Sequence, residues 1–196
     1  MRSVGRRRQR GQSLVEFTMV VPIVLMLVLS IAEFGVAYGT NMSLVEATRE
    51  GARVGAILGN GSDSLGCASA GSGNVDPQIM LAVQRVVESP GSGITLANVN
   101  WVYIYKSDGT GGPTTYDKYT VSVGNGGTIC GATLDFVLQG TAGWAASTRS
   151  AASPADSLGV MINYSYKMFT PMAAVAGWVG MSTMTMVDST VMDIEP

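Results

Sequence analysis

The chain has 196 residues, with twelve basic and fourteen acidic side chains, a formal net charge of -2 and no histidine. The missing histidine excludes Ser-His-Asp triads, Cys-His pairs and histidine metal sites, and neither a GxxxxGK[ST] phosphate loop nor a CxxC pair occurs. Arg2, Arg6, Arg7, Arg8 and Arg10 precede Gly11 with no acid among them, so residues 12–196 carry seven bases against fourteen acids, a balance that argues against nucleic-acid binding.

The run Phe17–Ala32 carries no charge, Glu16 and Glu33 flank it, and apolar character resumes to about Tyr38. About 20 helical residues cross a hydrocarbon core, so a membrane span over about 14–38 puts Glu16 near one interface and Glu33 near the other. Both carboxylates then avoid the bilayer centre, where a charge costs about 2.5–3.5 kcal/mol. Basic residues precede the span and none recurs until Arg49, which places the N-terminus in the cytoplasm and the remainder outside. A conventional cleaved signal fits poorly, because Ala32-Glu33-Phe34 and Ala37-Tyr38-Gly39 are weak cleavage sites. Pro22 predicts a kink in the membrane helix. Gly35 and Gly39 form a G-x-x-x-G spacing on which another helix can approach closely.

Beyond the span the helical pattern continues. Leu44, Ala47, Gly51, Val54 and Leu58 recur at intervals of three and four, one apolar stripe. Glu46, Arg49, Glu50 and Arg53 lie off it and can pair three residues apart. Gly59-Asn60-Gly61 supplies the stop. Residues 59–75 then read as a loop containing Cys67. Asp76-Pro77 opens a helix to about Glu88, with Asp76 as N-cap, Pro77 first in the helix, and Ile79, Val83 and Val86 on its buried side.

Strand patterns follow. Val99–Lys106 alternates Trp101, Tyr103 and Tyr105 against Val102 and Ile104, and Ser107-Asp108-Gly109 turns the chain. Lys118–Val123 is a second strand. Gly159–Phe169 and Ser182–Ile194 read as longer, adjacent antiparallel strands, with a short helix or capping loop over Pro171–Gly180. Residues Thr141–Ser157 read as a surface loop. The aromatics Trp101, Tyr103, Tyr105, Tyr164 and Tyr166 suit a packed sheet face more than a ligand platform. Asp108, Asp117 and Asp135 lack the spacing of a calcium loop. If the C-terminal part lies outside the cytoplasm, a disulfide between Cys67 and Cys130 is permitted, closing a loop of roughly 64 residues; two free thiols are the alternative.

The stretch Arg10-Gly11-Gln12-Ser13-Leu14-Val15-Glu16-Phe17, with Pro22 five residues further on, resembles type IV pilins, and in particular the TadE/TadG branch of Tad-pilus (type IVb, Flp-type) pseudopilins. Phe34-Gly35 and Ala47-Thr48-Arg49-Glu50-Gly51-Ala52-Arg53 extend the likeness, which covers about residues 10–55. Phe17 departs slightly from the tyrosine common after the glutamate in pilins. The resemblance implies a leader ending at Gly11, cut before Gln12 by a membrane aspartyl prepilin peptidase. It makes Glu16 the fifth residue of the mature chain, one turn from the new ammonium that it can neutralise in its own chain or a neighbour's.

These readings give an α+β protein: a basic leader over 1–11, a TadE-like helix over 12–58 and an extracytoplasmic domain over 59–196 with a short helix and an antiparallel sheet. The expected function is that of a minor pilin or pseudopilin in Tad pilus assembly, initiation or tip formation, serving adhesion. The expected location is a single pass through the cytoplasmic membrane, with possible association with a surface pilus. Expected partners are the membrane, the prepilin peptidase, other pilins and Tad assembly proteins. No catalytic residue, metal ligand, cofactor, nucleic acid or small-molecule substrate is expected. The alternative is a permanently signal-anchored extracytoplasmic binding or envelope protein.

Overall fold

A computed structural model describes residues 6–61, 71–178, 180 and 182–195. The chain divides into two compact units, Met1–Ala37 with Lys167–Thr183, and Tyr38–Tyr166 with Met184–Pro196. The first helix, α1 (Arg6–Leu58), runs through Pro22 without interruption. Pro22 has no N–H, so the Thr18 carbonyl loses its donor four residues on.

In the first unit most of α1 is exposed. From Gln12 to Val36 every side chain is exposed except Leu29 and Glu33. Its hydroxyls fold back on the backbone, Thr18 donating to the Leu14 carbonyl and Ser30 to the Met26 carbonyl, each at 2.7 Å. That arrangement satisfies both hydroxyls within the helix itself. The unit also holds α3 (Met172–Trp178), a single short helix.

The second unit packs the C-terminal part of α1 and the helix α2 (Val75–Val87) on a five-stranded sheet. The strands are β1 (Val99–Ser107), β2 (Pro113–Val121), β5 (Phe136–Leu138), β6 (Ser157–Lys167) and β7 (Thr183–Asp193), in the order β5-β2-β1-β6-β7. Between β2 and β5 lies a two-stranded hairpin of β3 (Thr128–Ile129) and β4 (Ala132–Thr133). β1 pairs antiparallel with β2 and β6, and β2 with β5. β6 and β7 are neighbours, and beyond their ends the Ile194 N–H reaches the Asp156 carbonyl.

The expected stripe of Leu44, Ala47, Gly51, Val54 and Leu58 is buried throughout. Two glycines set how close α1 comes. A Cβ at Gly51 would sit 2.7 Å from Val83 of α2, and one at Gly55 would sit 2.6 Å from Leu158 of β6. A helix-interior glycine costs about 1 kcal/mol of propensity relative to alanine; here it admits the side chains that form the core. Glu50 and Arg53 make the expected pair, 2.6 Å apart on the surface.

The structure departs from the sequence reading in several places, including Val86 of α2, which is half-buried, and the strands β3 to β5, which the residues did not predict. The N-cap of α2 is Asn74, with no side-chain cap bond, and Asp76 lies in the first turn, where its carboxylate serves another partner. β2 begins at Pro113 and not at Lys118, because β1 supplies hydrogen bonds to a stretch whose side chains are exposed up to Tyr116 and show no apolar alternation. The segment 141–157 is anchored by buried Trp144, Ala146 and Arg149 and is not a simple surface loop. The aromatics divide between the two sheet faces. Tyr164 and Tyr166 point inward with Val160 and Ile162, whereas Trp101, Tyr103 and Tyr116 stack in a row with ring centroids 3.9 and 4.4 Å apart.

Candidate processing and packing site on the N-terminal helix

Gly11 and Gln12 lie within α1, so the expected scissile bond is helical in the uncut chain. Gln12 and Glu16 are both exposed, and the Gln12 amide donates to the Glu16 carboxylate at 3.1 Å. The spacing of four residues puts them on one face, one turn apart. Of the residues singled out from sequence, these two are brought together. The chemistry available is electrostatic: a carboxylate within one turn of the position where cleavage would create an ammonium.

Pro22 lies inside the exposed apolar stretch of the same helix. Gly35 and Gly39 are both exposed, and a Cβ at either position would meet no atom within 4 Å. Among the described residues, neither glycine packs against another part of the chain.

Glu33 holds an arrangement that the sequence did not reveal. It is 7% exposed, and its carboxylate accepts the N–H of Phe169 at 3.3 Å and of Thr170 at 3.0 Å. A signal existed in the Thr170-Pro171 pair, a helix-start pattern that leaves preceding amides to be satisfied. Nothing in the sequence, however, connects that pair to residue 33.

A second missed cluster lies in the other unit. The Arg149 side chain is fully buried, with Nη1 2.7 Å from Asp76 and Nη2 3.6 Å from Asp117. Its guanidinium lies 4.7 Å over the Trp144 ring and donates to the Trp144 carbonyl at 3.1 Å. Asp117 also accepts the N–H groups of Gly143 and Trp144 at 2.5 and 3.0 Å. Burial pushes the Asp76 carboxyl above the usual carboxylate range, against the attraction of Arg149 and with the repulsion of Asp117. Burial likewise raises the Tyr119 hydroxyl. One cation facing two carboxylates is a structural tie for the loop, and Asp117 is thereby committed to it. Asp108 closes the β1–β2 turn through the N–H groups of Thr110 and Gly112, and Asp135 accepts the Gly124 N–H. Among the described residues no group of metal-ligating side chains comes together.

Cys130 is disulfide-bonded and has a positive φ of 54°. Its expected partner Cys67 lies outside the described residues.

From Gln12 to Leu58, α1 is long and apolar enough to cross a membrane, with a mean hydropathy of 2.5 over its most apolar window. No curated protein and no solved structure matches the chain. Residues 11–53, which include Gln12, Glu16 and Pro22, match the family model described as TadE-like protein.

Proposed function

We propose that this chain is a minor pilin or pseudopilin of a Tad pilus, taking part in its assembly, initiation or tip. The observation that carries the reading is the Gln12–Glu16 contact within the TadE-like segment. In this reading α1 spans the cytoplasmic membrane with the arginine-rich leader inside, and residues 59–196 form the extracytoplasmic domain. A prepilin peptidase cuts between Gly11 and Gln12. Cleavage removes the arginines that hold the helix in place and creates an ammonium at Gln12. Glu16 neutralises that charge while the subunit packs among apolar helices, where an unpaired charge is costly. Pro22 bends the helix, and Gly35 and Gly39 supply a close-approach surface for other pilins or Tad assembly proteins.

The test is the N-terminal residue of the mature protein, read by mass spectrometry from native membranes and sheared surface fractions. A chain beginning at Gln12 is the expected result. A chain that retains Arg6 to Gly11 overturns the processing step and leaves a permanently signal-anchored protein whose outer domain binds an envelope component.

A further inference from the structure

Fifteen residues from Met168 to Ser182 connect β6 to β7 without a single charge. They contain α3 and belong to the same compact unit as the apolar part of α1. Phe169 is 64% exposed and Trp178, the last residue of α3, is 89% exposed. A lone exposed apolar side chain on a soluble surface is ordinary. Two large aromatics on one uncharged segment, in a unit whose other member is an exposed apolar helix, form a surface suited to lipid and not to water.

Glu33 fixes the depth of this segment. Its carboxylate is held by the amides of Phe169 and Thr170, which ties the start of the segment to α1 at that residue. Glu33 lies seventeen positions after Glu16, a rise of roughly 26 Å along the helix, close to the roughly 30 Å of a hydrocarbon core. With Glu16 at one interface, Glu33 and the segment bound to it lie at the other. The two charge-assisted bonds satisfy a carboxylate at the edge of the bilayer and two amides that α3 does not pair. Trp is the residue that settles at that level.

We propose that Met168–Ser182, with α3, is a second membrane-contacting element, lying at the boundary of headgroups and acyl chains beside α1 and placing Phe169 and Trp178 in lipid. The inference rests on the reading of α1 as a membrane span. The segment has no basic residue, so the contact is apolar and does not require anionic lipid.

The full chain, reconstituted in phosphatidylcholine vesicles with plain or acyl-brominated lipid, supplies the test through tryptophan emission. Bromolipid should quench the wild type, and Trp178→Phe should abolish that quenching, since the remaining Trp101 and Trp144 are half-buried and buried in the other unit. Adding Phe169→Trp to Trp178→Phe should restore it. Alkaline extraction separates the two ideas. If the chain resists extraction while Trp178 is quenched by aqueous acrylamide and not by bromolipid, the proposal is overturned and the span stands. If the chain is extracted, the span fails and the proposal with it. A Trp178 shielded from both quenchers has a protein neighbour, which also overturns the lipid assignment.

Discussion

Single residues carry the two kinds of constraint in this chain, charge in an apolar helix and space in a packed core. Glu16 is exposed near the start of α1, and its contact is with Gln12. A carboxylate there favours nothing about insertion, so Glu16→Ala should leave the amount of protein in the membrane fraction unchanged. On the proposed processing it should deplete the sheared filament fraction, because the ammonium created at Gln12 would then enter a helix bundle unpaired. Quantitative blotting of both fractions checks this, and normal piliation would count against the role of Glu16. Gly159 shows the second constraint. It lies opposite Tyr105 across the β1–β6 pair, and a Cβ there would run into the buried Tyr105 ring. The Tyr105 hydroxyl donates to the Gly111 carbonyl at 2.9 Å, so the ring has little freedom to move aside. Gly159→Ala should cost about 1–3 kcal/mol by overpacking, read as a lower urea midpoint.

At the scale of elements, a buried charge cluster joins α2, β2 and the 141–157 segment. Arg149 faces Asp76 of α2 and Asp117 of β2, and Asp117 also holds the amides of Gly143 and Trp144. Removing the cation leaves two carboxylates buried together, so Arg149→Ala should destabilise the domain by about 3–5 kcal/mol, measured by chemical denaturation. The same cluster predicts a pH dependence. Burial holds the folded-state pKa of Asp76 above its ordinary value, so the folded chain binds that proton more tightly than the unfolded chain does. The stability from Asp76 is therefore fully present below the unfolded pKa, about 4, and is lost as pH rises through the raised folded value. The urea midpoint of wild type relative to Asp76→Asn should fall across that window as pH rises. A difference that stays constant with pH would show that folding does not raise the Asp76 pKa.

For the molecule as a whole, a crosslink from Cys130 to its expected partner Cys67 would close roughly 64 residues, including α2, β1 and β2. Reduction, or Cys130→Ser, should lower stability by about 4 kcal/mol in the chain-entropy model, seen as a drop in unfolding midpoint with dithiothreitol; an unchanged midpoint would count against that closure. The α+β class, the long helix with its buried stripe, and the adjacency of β6 and β7 were legible in the residues. Each depends on a periodicity that neighbouring residues repeat. The TadE-like stretch was legible for a related reason: its charges and glycines sit at fixed intervals along one helix. The Arg149 cluster, the division of the aromatics between two faces and the capture of Glu33 by Phe169 and Thr170 were not legible. The charged partners of Arg149 and the amides that bind Glu33 lie 32 to 137 positions away, and no local pattern links residues that meet only through sheet register and loop closure. The sequence by itself thus determined where the chain is apolar, where its long helix runs and which residues resemble a TadE-like protein. Tertiary structure alone decided which buried charges are compensated and which apolar segment stands beside the membrane helix, because both depend on contacts that exist only once the backbone has brought distant residues within reach.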